Sequence, residues 1–361
     1  MKMNQSLRRG LTGLCFLLVV LFLSNCSNKD EETLDPYQFQ EEEFEAVPDL
    51  PDVEDPDPVI IEPELGEVVT SPSTTSVLDD LINAGSEGDI NAGTKGSLDD
   101  ILDYSNGFSA EIRESAKTLD EATIDAILDP SKPLTGIYKE LQDHLASAPG
   151  SIIALLPKVN YSEDYSFLDK DIQLPSAELN KEFPSESTVK RDYAAEFGPC
   201  QGAAIKAYDK KVENLMKQRD EAVAKAQKNY ERRVEDAEDR YDSRMAKLDK
   251  ERKERIATLK ITVLALNGVA DQIGKFSPEL GAVLKYFTII YAVYGRQQID
   301  LWYERSEAML KVALLQEKLD AIEARDECIY EIQMEFEKCV FAADKVLKKA
   351  LAACHNQGSG S

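Results

Sequence analysis

Two long stretches in the C-terminal half of the chain carry apolar residues at helical spacing. Residues 201–260 contain no proline and almost no glycine, and their apolar residues recur at intervals of four, four and three. Residues 279–353 show intervals of three and four, which are typical of a coiled coil. Between them, residues 271–279 hold a glycine and a proline and form the obvious turn. The pattern predicts a long antiparallel helical hairpin over residues 200–355.

Upstream, residues 71–199 show shorter apolar periods, interrupted by glycine, proline and asparagine. These interruptions predict several short helices, for example at 76–84, 110–117 and 119–128. The short apolar run 152–156 is compatible with a strand or with a buried helix. Because the apolar content of this region is thin for a separate core, we expect it to pack against the hairpin. The expected fold class is all-α.

The hairpin is most apolar around its turn, where apolar residues cover all sides of both helices. A helix that is apolar on all sides must be covered, by other parts of the protein, by a membrane or by a partner. This apolar end is represented by Val263, Leu264, Leu266, Leu284, Phe287, Ile289 and Ile290.

Three interpretations of the apolar end are open. Residues 71–190 could fold over it, it could insert into a membrane, or it could bind a partner protein. Long helical shafts with an apolar head resemble the architecture of the cytolysin A-like α-helical pore-forming toxins. The resemblance covers roughly residues 200–355, rests on no residue motif, and implies no functional residues in this chain.

The N-terminus has the three parts of a secretion signal in the expected order. A basic stretch precedes an apolar run, Leu14–Leu23, which is too short to span a bilayer of about 30 Å as a helix. The run leads into Leu23-Ser24-Asn25-Cys26, which resembles the lipobox of bacterial lipoproteins. The resemblance implies that residues 1–25 are removed and that Cys26 carries the lipid, so that the mature protein contacts a membrane through its N-terminus.

The residues after the cysteine include Lys29, Asp30 and Glu31. This lysine followed by acidic residues resembles the export signal of surface lipoproteins in the Bacteroidota. It implies an outer-membrane, cell-surface location, and the alternative is a lipoprotein that faces the periplasm.

Charge is unevenly distributed along the chain. The whole chain has a net charge of −25, and residues 1–25 carry three basic side chains and no acidic ones, so the mature chain has −28. A surface this acidic argues against a nucleic-acid partner. Residues 26–70 are the most acidic part and are rich in proline, which predicts a disordered tether.

The cysteines give an independent test of the hairpin. Cys200 and Cys354 lie at its two open ends, equidistant from the turn, and are the candidate disulfide of an exported protein. Cys328 and Cys339 share a helix face but lie about 16 Å apart along the axis, so they cannot pair with each other. Either they are small buried residues, or one of them pairs with Cys200 or across a dimer.

Catalytic and metal-binding motifs are scarce. The two histidines, His144 and His355, have no second ligand at metal-binding spacing, and neither a phosphate-binding glycine loop nor a nucleophile elbow is found. We therefore expect a non-enzymatic protein without metal or cofactor, which binds or scaffolds another envelope or extracellular protein. The alternatives are a pore-forming protein that uses residues 261–294 and a hydrolase in residues 71–199. Long helical shafts often have a second apolar strip, so pairing with a second copy to form a homodimer is also open. Residues 356–361 are expected to be a flexible tail.

Overall fold

The computed structural model describes residues 41–160 and 198–355. Within these residues the protein is predominantly helical, with one small two-stranded sheet, so the predicted all-α class is confirmed. The elements in chain order are α1 (Glu42–Glu45), β1 (Glu67–Val69), α2 (Pro72–Asn83), α3 (Ala92–Ser105), α4 (Ala110–Lys117), α5 (Glu121–Leu128), α6 (Ile137–Leu145), α7 (Gly150–Ile153), β2 (Lys158–Asn160), α8 (Pro199–Ile273) and α9 (Pro278–His355).

The predicted hairpin is formed by α8 and α9, which pack against each other. Contacts between the two helices join residues at matching distances from the turn, as an antiparallel pair requires. Examples are the disulfide Cys200–Cys354 and the ion pair between Arg252 Nη2 and Asp300 Oδ1 at 2.5 Å. Glu317, which is buried, pairs with Arg244 Nη1 at 2.7 Å.

The turn lies at residues 274–277, inside the predicted range. Two glycines make it possible, because the ends of the two helices nearly touch there. A Cβ atom on Gly281 would lie 2.6 Å from the Cα atom of Gly274 and 3.0 Å from the carbonyl oxygen of Ala270. Any side chain at position 281 would push the helices apart.

The short helices begin at side-chain caps that satisfy their first backbone N–H groups. Ser71, Asn91 and Ser109 cap α2, α3 and α4. The helix α5 starts at Asp120, whose carboxylate accepts a hydrogen bond from the Thr123 backbone N–H at 2.8 Å. The apolar run 152–156 is divided between the end of α7 and the approach to β2, which pairs antiparallel with β1.

A buried arginine of α9 fastens α5 to the hairpin. The Arg296 guanidinium is 4% exposed and donates to the backbone oxygens of Ile127, Asp129 and Lys132 at 3.2, 2.6 and 3.2 Å. Two of these oxygens lie at the end of α5, where the helix has no further N–H groups to offer them and where a cation is favoured. The position of the short helices is therefore set by polar contacts as well as by apolar packing.

The chain forms two compact units by its backbone contacts, and both long helices contribute to each. Among the described residues, unit 1 consists of 41–55, 198–229 and 325–355, and unit 2 of 56–160 and 230–324. Unit 2 has the larger apolar core, built from α2 to α7 and from the turn-side parts of α8 and α9. The predicted packing of short helices on the hairpin is found in this unit.

Unit 1 contains the open end of the hairpin and a smaller core. Ala226 packs with Cys328, Ile329 and Ile332, and the partly buried Leu50 and Val53 cover this cluster. The guanidinium of Arg219 in α8 lies 4.8 Å from the centroid of the Phe336 ring in α9, so the two side chains form a cation–π contact across the hairpin.

The structure differs from the predicted disordered tether over residues 41–70. Within this range, residues 49–62 form an ordered segment, called the strap, that lies alongside α8. Its carboxylates bind basic side chains of α8: Asp49–Lys211 at 2.7 Å, Asp52–Lys225 at 3.1 Å, Asp57–Arg232 at 2.5 Å and Glu62–Arg244 at 2.8 Å. The acidic composition that suggests self-repulsion is neutralised by a basic helix more than 150 residues away in sequence. Residues 26–40 lie outside the described residues.

We expect the strap to loosen in acid. Hydrogen bonds from Lys211, Arg232 and Arg244 hold the pKa values of Asp49, Asp57 and Glu62 below their ordinary values. A carboxyl group whose pKa is lowered by folding stabilises the folded state fully above its ordinary pKa of about 4. This contribution is lost as the pH falls below about 4 toward the lowered folded-state value.

A spin label on a Glu54→Cys variant measures the loosening directly. The mobility of the label is expected to stay low from pH 7 to pH 5 and to rise below about pH 4. At high salt the rise should begin at a higher pH, because exposed ion pairs are screened. A label at Ile82 in α2 is the control and should not respond at the same pH. A label at position 54 that is already mobile at pH 7, or that stays immobile down to pH 3, would contradict the strap.

Candidate functional site

An open cleft of about 480 Å³ lies in unit 2, beside the small sheet. The sheet side is lined by Val68, Val69, Thr70 and Pro157. The helical side is lined by Glu251, Glu254, Arg255, Thr258, Leu259 and Thr262 of α8 and by Tyr291, Gly295 and Ile299 of α9. The α8 residues recur at intervals of three and four, which places them on one helix face. The volume is within the range of sites that hold a small molecule or a few residues of a peptide.

Gly295 sets the depth of this cleft. A Cβ atom there would lie 2.6 Å from Leu259 Cδ1 and 3.3 Å from Pro157 Cγ. The absence of a side chain lets the leucine and the proline approach α9 closely.

A charged cluster forms the polar part of the wall. The Arg255 guanidinium lies 4.1 Å from the centroid of the Trp302 ring, and its Nη2 lies 3.6 Å from Glu251 Oε2. Trp302 is itself fully buried and donates from Nε1 to the carbonyl oxygens of Leu65 and Gly66 at 2.7 and 3.1 Å. The Arg255 guanidinium therefore stacks on a ring that is itself held by packing and hydrogen bonds.

Tyr291 is the most buried of the cleft-lining residues that carry a hydroxyl group. Burial raises the pKa of Tyr291 above its ordinary value, against a smaller opposing effect of a hydrogen bond with Thr70. The phenol is therefore neutral at physiological pH and can take part in hydrogen bonds. The lining combines carboxylates, a guanidinium and hydroxyls over an apolar floor, and it includes no histidine, cysteine or serine.

The residues of the predicted apolar end lie together in the core of unit 2. Leu264 is half-buried, and the other members are buried: Val263, Leu266, Leu284, Phe287, Ile289 and Ile290. The helices α2 to α7 supply the other side of this core, so the surface that membrane insertion would use is covered. In the part of the chain that the structure describes, α8 is the one helix with an 18-residue window apolar enough to cross a membrane, and 33% of that window is buried.

The predicted disulfide is present. Cys200 and Cys354 are bonded, with their Cα atoms 5.8 Å apart. Cys328 and Cys339 are buried thiols in unit 1 that take no part in this bond, and burial raises the pKa of Cys339.

The lipidation and export residues Cys26, Lys29, Asp30 and Glu31 lie outside the described residues, as does the tail 356–361. Across residues 41–160 and 198–355, no group of three or more His, Cys, Asp or Glu side chains is arranged to hold a metal ion. His144 sits among aromatic rings, with its centroid 5.2 Å from those of Tyr104 and Phe108.

No motif or spacing in the sequence points to the cleft. Its lining comes from four separated stretches of chain, and each residue read alone fits an ordinary charged or apolar helix face. The lone tryptophan was the best available signal, because a single large aromatic residue on a charged helix commonly marks packing against another element. Searches against protein families, curated proteins and solved structures found no match to this chain.

Proposed function

We propose that this protein is a surface-exposed lipoprotein, anchored through Cys26, that binds another envelope or extracellular protein without catalysing a reaction. The observation that carries the proposal is the cleft beside the small sheet, an open concavity with polar groups over an apolar floor. Such a surface is suited to recognising an inserted side chain or loop. The net charge of −28 expected for the mature chain favours a neutral or basic partner over an acidic one.

The composition of the cleft supports binding over hydrolysis. Its lining offers no histidine, cysteine or serine as a nucleophile or base, and Glu251 is engaged by Arg255. Membrane insertion, the alternative for residues 261–294, requires α2 to α7 to leave the core of unit 2 first. Rupture of lipid vesicles by a mature Cys26→Ser chain would favour that alternative over the binding function.

Photo-cross-linking on intact cells tests the binding site. A photoreactive residue at Thr258, which is exposed within the cleft, is expected to trap a distinct envelope or extracellular protein. The same residue at Ala257 is the matched control, since Ala257 is exposed next to it but does not line the cleft. Filling the cleft by Thr258→Trp is expected to lower binding of the trapped protein by about tenfold or more, the equivalent of one lost contact of ~1.4 kcal/mol.

The anchor is tested in the same cells. The parent chain is expected in the membrane fraction and open to external protease, and Cys26→Ser is expected to lose both properties. Equal trapping from positions 258 and 257 would contradict the cleft as the binding site. Membrane retention of Cys26→Ser would contradict the lipid anchor.

A further inference from the structure

The strand β1 runs along the helix α9 in unit 2. Two residues before the strand, the carbonyl oxygen of Leu65 accepts a hydrogen bond from Trp302 Nε1 at 2.7 Å. Directly after the strand, a hydrogen bond joins Thr70 to Tyr291. Residues 65 and 70 are about 16 Å apart in an extended chain, and residues 291 and 302 are about 16 Å apart in a helix. The strand therefore lies antiparallel to α9 and follows its axis.

One edge of β1 is open and forms part of the cleft wall. The strand β2 pairs with the other edge, over Glu67–Val69. Among the described residues, no hydrogen bond joins the backbone of these three residues to anything other than β2. Val68 packs with the core of unit 2, so Val69 points to the opposite face of the sheet. The cleft touches Val68, Val69 and Thr70 in succession, and a surface that touches consecutive strand residues includes the backbone edge between them.

The cleft is elongated along the two helices. On the α8 side its lining runs from Glu251 to Thr262, which is about 16 Å along the helix. On the α9 side it runs from Tyr291 to Ile299, which is about 12 Å. An extended peptide covers about 3.3 Å per residue, so about four or five of its residues match this length. The shape fits an extended peptide better than a compact small molecule.

The α8 wall carries one carboxylate that is available to a basic ligand. Glu251 is 30% exposed and is approached by Arg255 Nη2 at 3.6 Å. Glu254 is 64% exposed, and its ion pair with Lys250 Nζ spans 3.7 Å to a side chain that is 77% exposed. A pair this exposed contributes little and is readily exchanged for another cation. Glu254, at the rim of the cleft, is therefore placed to bind a lysine or arginine.

We propose that the cleft binds an extended segment of the protein partner, which adds as a strand to the open edge of β1. Aliphatic side chains of the segment face Leu259 and Ile299 at the floor, and they alternate with side chains that face the rim, where a lysine or arginine pairs with Glu254. Main-chain hydrogen bonds to β1 supply affinity, and the floor and Glu254 supply specificity. The inference rests on the proposed function and names the kind of partner segment that the cleft takes.

Selection of random linear decapeptides on the mature Cys26→Ser chain tests the proposal. The enriched peptides are expected to alternate aliphatic with polar residues, to include a lysine or arginine among the polar ones, and to lose binding to Thr258→Trp. N-methylation of the best peptide at successive positions should lower its affinity by about tenfold or more at alternate positions only. A paired strand directs its N–H groups alternately toward and away from its neighbour, which gives this period of two.

Glu254→Gln tests the basic contact. It is expected to lower the affinity of the selected peptide by about tenfold and to weaken its salt dependence. Glu279→Gln removes an exposed carboxylate of unit 2 that does not line the cleft, and it should leave the affinity unchanged.

Four results would overturn the proposal: no enriched peptide that depends on the cleft, binding that survives Thr258→Trp, N-methylation without a period of two, or an affinity that Glu254→Gln leaves unchanged. If position 258 still traps a protein on cells in any of these cases, the partner is bound through another kind of surface. The proposed function would then stand, and only the added strand would be wrong.

Discussion

Replacing Trp302 with alanine is expected to lower the free energy of unfolding by about 3–5 kcal/mol, the range for truncating a fully buried aromatic residue. The tryptophan is 0% exposed and packs with Leu248 and Leu310 of the hairpin. Its removal also leaves two backbone acceptors, on Leu65 and Gly66, without their indole donor. We therefore expect the variant to lose apolar packing and, in addition, the segment that leads into β1 to detach.

Chemical denaturation followed by far-UV circular dichroism measures this effect. Tryptophan fluorescence cannot be used, because the variant lacks the single tryptophan of the chain. Trp302→Phe is the informative second variant: it keeps most of the apolar contact and loses the hydrogen bonds, so its loss should be near 1 kcal/mol, the usual net contribution of a hydrogen bond, plus a small packing term. Leu301→Ala, at the exposed neighbouring position, should change stability by less than about 1 kcal/mol. A Trp302→Ala chain as stable as Leu301→Ala would contradict the structural role assigned to the indole.

Removing the disulfide by Cys200→Ser with Cys354→Ser is expected to cost about 2–5 kcal/mol. The bond joins residues 154 apart in sequence, so it restricts a very large loop in the unfolded chain. It also ties the two helix ends that lie farthest from the turn. Without it, the open end of unit 1 keeps only non-covalent contacts, and the ends of α8 and α9 should fray first.

Hydrogen exchange resolves where the loss occurs. Amides near the two cysteines should exchange faster in the double variant, whereas amides of the buried α9 segment around Ile290 should change little. Reductant should reproduce the effect in the parent chain and have no effect on the variant. If the variant shows parent-like exchange at the open end and parent-like stability, the disulfide adds nothing to the fold, against this expectation.

Charge substitutions at Ile289 or Ile290 are unsuited to testing membrane insertion, because both side chains are buried. Both residues are at most 1% exposed in the core of unit 2, so an acidic residue at either position would unfold that core before any membrane effect could be measured. Exposed positions such as Ile261, which is 70% exposed, are better suited for examining contact with lipid.

The hairpin could be recognised in the sequence because its causes are local. Helical spacing, the absence of proline and the Gly–Pro turn act within a few residues of each other, and the symmetric cysteines report the antiparallel arrangement directly. The short helices are likewise marked by their own caps and breakers. At α5 the local signal was ambiguous: Thr118-Leu119-Asp120-Glu121 suggests a threonine cap, whereas Asp120 caps the helix.

The strap could not be recognised because its cause is remote. Acidic, proline-rich residues have no apolar period of their own, and only the basic side chains of α8 fix their course. The burial of the apolar end was one of three open interpretations for the same reason. An apolar surface shows that it must be covered without showing by what.

The sequence by itself determined the all-α class, the hairpin with its turn and disulfide, and the expectation of a secreted, lipid-bearing chain, because each follows from patterns between neighbouring residues or from symmetric spacing. Only the tertiary structure decided that short helices cover the apolar end, that the acidic strap lies along α8, and that the cleft exists. These features depend on which distant side chains meet, and charge pairing, burial and close backbone approach are settled only when the chain is folded.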